Sequence, residues 1–137
     1  MKLTKHFILF SIGGIVYLII EILFRGYTHL SMFFVGGLCF LLIGLINEIL
    51  VPSPPLLLQM LLSAILVTTV EFLSGCFLNL ILGLNVWDYS QLWGNLLGQI
   101  SLPFMAAWFF LSALGILMDD LLRHILFQET YPEYTLL

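Results

Sequence analysis

Long apolar runs broken by short polar stretches organise the whole chain. A helix needs about 20 apolar residues to cross the hydrocarbon core, and the runs at about 6–24, 31–50, 55–78 and 103–122 each meet that length. Arg25-Gly26-Tyr27 closes the first run. The cluster Pro52-Ser53-Pro54-Pro55 closes the second, because proline cannot continue a helix but suits the first turn of the next one. The third run stays apolar to Leu84, too far for one straight crossing, and contains Glu71, Gly75 and Asn79. Its outer end is therefore expected to be irregular, tilted or bent. Residues 91–100 are amphipathic and too short to span, and they predict an interfacial or re-entrant helical segment. The predicted fold is all-α: one domain of about four transmembrane helices, with a tail at 127–137.

Composition agrees with that reading. The chain is 61% hydrophobic and 9% charged, with a mean hydropathy of +1.13. Soluble domains carry about 25% charged residues. The net charge of −4 rests on eight acids against four bases. Four scattered bases make no basic patch, so nucleic acid is not an expected partner. Cys39 and Cys76 lie in apolar runs without metal-ligand spacing and read as small buried hydrophobes. The N-terminal run lacks a small-x-small cleavage site and meets Glu21 and Arg25, so it reads as a retained helix rather than a signal peptide.

Four crossings put both termini on one side. Lys2, Lys5 and Arg123 flank that side and Arg25 the other. The positive-inside rule then places both termini in the cytoplasm of a bacterial inner membrane, and the 85–102 connection outside.

The informative residues are polar ones in an apolar solvent. A carboxylate at mid-bilayer costs at least about 2.5–3.5 kcal/mol, so it faces a cavity or a partner. Glu71 is the strongest case, with no base near it in sequence. Ala64, Thr68, Gly75 and Asn79 share its broad helix face. Interhelical packing by small residues competes with a cavity-lining carboxylate as the explanation. Arg25 is the expected long-range partner. Glu21 and Arg25, four apart, can pair. His29 follows one turn on. Gly36-Gly37, Gly44 and Asn47 read as a close-packing face on the second helix. Glu48, Asp119 and Asp120 read as solvated end positions. Trp87, Asp88 and Tyr89 supply hydrogen-bonding groups outside, although aromatic residues favour the interface anyway. Asn95 and Gln99, one turn apart, are expected to line one side of a site. These ten candidates, from Glu21 to Gln99, predict a polar pocket opening outwards. No catalytic residue, metal ligand or cofactor is assigned.

The series Glu21…Arg25…Thr28-His29…Ser31-Met32-Phe33…Gly36-Gly37, then Glu71…Gly75…Asn79, then Val86-Trp87-Asp88-Tyr89-Ser90…Asn95…Gly98-Gln99…Trp108 resembles a bacterial membrane-protein family. That family is described as Putative ABC-transporter type IV, also called CmpB-like. The likeness covers about residues 8–120, and Thr-His-x-Ser-Met with Val-Trp-Asp-Tyr-Ser is its most specific part. It implies a transport permease. The chain has no Gly-x-x-x-x-Gly-Lys-[Ser/Thr] loop for ATP. Four helices are few for a permease, so a homo-oligomer or other membrane subunits are expected. The short connection around Pro52 offers little for an ATPase to dock on.

Three functions compete. The first is a transport or solute-binding subunit, with Glu71 meeting a small polar or cationic solute or carrying a proton. The second is a structural or regulatory partner protein whose glycine faces dock other helices. The third is a membrane-embedded enzyme at the outer leaflet, with Glu21, His29, Glu71 and Asp88 as acid–base groups. No HExxH or paired-His spacing supports a metal enzyme.

Overall fold

The computed structural model describes residues 2–50 and 52–137; Met1 and Val51, the latter beside the Pro52 break, lie outside them. The chain forms α1 (Lys2–Arg25), α2 (Ser31–Ile49), α3 (Leu56–Gly75) and α4 (Leu102–Phe127). All four are long and apolar enough to cross a membrane. The α3 crossing runs on through a π-helical turn at Cys76–Ile81. This is the irregular outer end foreseen for the third run, and it keeps the helix continuous past residue 78.

Each boundary has a local cause. Gly26 takes φ +79 and donates its N–H to Ile22 O, closing α1 in the left-handed conformation glycine favours. Ser101 Oγ accepts from Phe104 N–H at 3.3 Å and opens α4. Gln128, at φ 57, ends it. The tail then folds back under the bundle. Thr135 O accepts from Leu56 N–H at 2.6 Å, and Leu136 O accepts from Leu57 N–H at 3.3 Å. Two free N–H groups at the start of α3 are thereby satisfied.

The segment at 91–100 differs from expectation. It is a series of turns closed by an isolated bridge between Leu96 and Ile100, not a helix. Gly94, Leu97 and Gly98 all adopt positive φ, which an α-helix does not tolerate.

Helices alternate in direction, so one end of the bundle carries both termini and the other carries the 26–30 and 82–101 loops. α2 is central and packs on all three other helices, whereas α1 and α4 barely meet. The α1–α2 pairing is close because glycines face each other's partners. A Cβ on Gly36 would lie 2.5 Å from Tyr17 Cβ, and one on Gly37 2.6 Å from Phe10 O. Small residues at membrane helix interfaces permit this approach. Apolar side chains such as Phe7, Leu23, Leu61 and Phe110 point outwards, as lipid requires.

Candidate functional site

Glu71 sits on α3 in the half nearer the loops and is 7% exposed. Its Oε2 accepts from Tyr89 Oη at 2.9 Å, and its Oε1 accepts from Trp108 Nε1 at 3.2 Å. Tyr89 belongs to the 82–101 loop and Trp108 to α4, so one carboxylate joins three parts of the chain. The Tyr89 ring stacks on Phe104 with centroids 4.5 Å apart, which fixes its hydroxyl over α3. Burial, and then the negative charge of Glu71, push the Tyr89 phenol up from its ordinary value, so it remains a proton donor. Both donors are neutral. Among the described residues no Lys, Arg or His comes within ion-pair distance of Glu71.

A second layer holds the loop in place. Asn79, on the π-helical turn, donates to Gln99 Oε1 at 2.8 Å and accepts from Val86 N–H at 2.6 Å. Trp87 Nε1 donates to Gln99 O at 3.0 Å. The turn swings Asn79 towards the loop, a common use of π-helical geometry at sites. Gly75 is needed beneath it, since a Cβ there would meet Gln99 Oε1 at 2.7 Å.

Arg25 does not serve Glu71. Its Nε and Nη2 hold both oxygens of Glu21, at 2.7 and 3.1 Å, and its Nη1 donates to Val86 O at 3.0 Å. A bidentate i,i+4 partner is local and costs less order than a distant one, so Glu21 takes the guanidinium. Three further candidates stay apart from Glu71. His29 is exposed, and its Nδ1 accepts the Ser31 N–H. Asp88 is exposed, and its Oδ1 accepts the Ser90 N–H, which holds its carboxyl below the usual range. Asn95 is exposed and bonds within its own turn. Of the ten candidates, Glu71 with Tyr89 and Asn79 with Trp87 and Gln99 form two adjoining hydrogen-bonded groups, and Arg25, paired with Glu21, reaches the second through Val86 O.

Beside Glu71 lies a cavity of about 310 Å³ between α1, α2 and α4. Its walls are mostly aliphatic, and Tyr17, Trp87 and Trp108 stand with Glu71 on its lining. Ile20 on α1 and Leu111 and Leu114 on α4 line it too, yet they are exposed, Leu114 to 65%. The cavity thus opens sideways through the sparse α1–α4 seam, towards lipid. The outward-facing polar pocket expected from sequence is instead an apolar chamber with one carboxylate. Cys39 is free and lines it, a placement that its apolar run did not reveal.

The other end of the bundle also departs from expectation. Asp119 is 0% exposed, and Asp120 and Arg123 are buried, so these are not solvated end positions. Arg123 Nε donates to Asp119 Oδ2 at 2.8 Å, and its Nη1 lies 3.2 Å from Glu48 Oε1. Asn47 Nδ2 donates to Asp120 Oδ1 at 3.0 Å, and Tyr134 Oη donates to Asp120 Oδ2 at 2.6 Å. Gly44 leaves room for the Asp119 carboxylate. The recurrence of Ser112, Ile116, Asp119 and Arg123 every three or four residues marked one inward face and was the signal available. Lys5 pairs with Glu129 beside this cluster.

The family model described as Putative ABC-transporter type IV matches residues 6–133. No curated protein and no solved structure matches the chain. With four apolar crossings and that match over nearly its whole length, the chain is a multi-pass membrane protein and belongs to the Putative ABC-transporter type IV family.

Proposed function

We propose that this protein is a transport or small-solute-binding membrane subunit that takes its ligand into the cavity beside Glu71. The observation that carries the reading is a buried carboxylate, held by two neutral donors, on the wall of a chamber of about 310 Å³. Small-molecule sites occupy about 300–1,000 Å³ and combine apolar walls with a few placed polar groups. A carboxylate kept only for packing has no need of an adjoining void. The family description supports transport. Lys2 and Lys5 near one end, against Arg25 at the other, support termini in the cytoplasm. With only four crossings, the subunit works with further copies or other membrane subunits.

Cys39 reports on access to the chamber. In the full chain carrying Cys76→Ser, reconstituted in nanodiscs at pH 10 so that enough of a buried thiol is the reactive thiolate, methyl methanethiosulfonate should modify Cys39. Gly115 lines the same chamber, and a Cβ there stays 3.7 Å from Ile43, so Gly115→Leu fills space without a backbone clash. That variant should slow the modification at least tenfold. A Cys39 that resists the reagent, or reacts equally fast in Gly115→Leu, contradicts the reading.

A further inference from the structure

We infer that the chamber binds an amphipathic organic cation, an alkyl- or arylammonium, that enters from the bilayer. This deepens the proposed function and rests on the cavity being a ligand site. Three independent features converge on that chemistry.

Charge is the first. Glu21 is neutralised by Arg25, whose guanidinium takes both carboxylate oxygens. Glu71 has only Tyr89 Oη and Trp108 Nε1, so its ionised form would lack a counter-ion among the described residues. A cation bound there supplies it, and an anion would be repelled in an apolar medium where charge interactions are strong.

The aromatic groups are the second. Tyr17, Trp87 and Trp108 line the cavity with Glu71, and the Tyr17 and Trp108 rings lie 6.2 Å apart. Both indole N–H groups are already committed, Trp87 to Gln99 O and Trp108 to Glu71. With those donors committed, the rings meet a ligand in the cavity through their π surface, and aromatic surfaces are how quaternary ammonium groups are held.

The shape is the third. Away from Glu71 the walls are aliphatic, with Val16, Ile43 and Met118 among them. The exposed Ile20, Leu111 and Leu114 mark a side opening between α1 and α4. A ligand already dissolved in lipid can enter there tail and head together. A small hydrophilic ion would gain nothing from such walls.

Titration calorimetry on the full chain in nanodiscs, with empty nanodiscs subtracted, tests this with three octyl probes. These are octyltrimethylammonium, neutral octyl glucoside and octyl sulfate. Octyltrimethylammonium should bind saturably and at least tenfold more tightly than the other two. Glu71→Gln should weaken it at least tenfold. Gly115→Leu, which leaves Glu71 in place, should also abolish it, and circular dichroism should show both variants folded. If octyl glucoside or octyl sulfate binds as tightly and Gly115→Leu blocks it, the cation assignment is overturned while the cavity remains a ligand site. Cation affinity unchanged in Glu71→Gln has the same consequence. If no probe binds saturably while Cys39 stays closed to the thiol reagent, both readings fall. If none binds although Cys39 reacts, the cation assignment falls alone.

Discussion

The two ends of the bundle bury carboxylates in different settings. At the end carrying the termini, Asp119 pairs with Arg123 and Asp120 accepts from Asn47 and Tyr134, and neither aspartate lines the chamber. At the loop end, Glu71 meets only a phenol and an indole and borders an unfilled chamber. Burial is similar, so burial does not separate a structural acid from a candidate site. Nor do neutral partners, since Asp120 has them too; what sets Glu71 apart is its place on the wall of the chamber. In the first cluster Arg123 pairs with Asp119, and Glu48 lies at its other side. In the second, the cation inferred above would be the counter-ion of Glu71.

That contrast predicts different consequences for mutation, and the largest falls at the terminal end. Arg123→Ala leaves Asp119 buried without a cation, a loss of about 3–5 kcal/mol. Unfolding in mixed detergent should show it as lost folded yield, with no selective effect on ligand binding. A normally folded Arg123→Ala would show that this cluster does not anchor the fold. Glu71→Gln should do the reverse. It keeps the size of the side chain and its acceptor oxygen, so the helices should still insert, while uptake or binding falls by at least about tenfold, equivalent to about 1.4 kcal/mol. Normal uptake by that variant would remove Glu71 from the site.

Smaller effects sharpen the picture. Gly36→Ala drives a methyl into Tyr17 and should cost about 1–3 kcal/mol through overpacking of α1 on α2. It should also narrow the chamber, which both residues line. Tyr134→Phe removes one hydrogen bond to Asp120 and should cost about 1 kcal/mol in unfolding, without altering binding. The smallest effect is at Asp88. Its folded pKa is depressed by the Ser90 N–H, so its stabilisation is present above the unfolded value of about 3.9 and is lost as pH falls through the lower folded value. Thermal unfolding of wild type should therefore lose slightly more than Asp88→Asn between pH 6 and pH 3. Equal losses would show that the turn bond is inconsequential.

The four crossings were legible because lipid imposes an apolar exterior along the whole length of each helix, and Pro52 to Pro55 mark one break openly. Glu71 stood out for the same reason, as a charge in the wrong solvent. Its partners did not. Tyr89 lies 18 residues away and Trp108 37 away, and only folding brings them together. Arg25 was the nearest cation in composition, but Glu21 one turn before it had the shorter path. The 91–100 loop misled because amphipathic spacing resembles a helix, while Gly94 and Gly98 already signalled turns. Asp119 and Asp120 misled because a helix end suggests solvent, whereas the tail covers this one with Tyr134. The cavity itself had no sequence signature, since a void is a property of packing.

The central claim is that the loop end is a ligand site and the terminal end is structural. The most direct measurement is the rate at which methyl methanethiosulfonate modifies Cys39 in the Cys76→Ser protein, with and without octyltrimethylammonium. The account predicts at least tenfold protection by the cation, lost in Glu71→Gln and kept in Asp120→Asn. Equal rates with and without the cation, or protection that depends on Asp120 and not on Glu71, would contradict it.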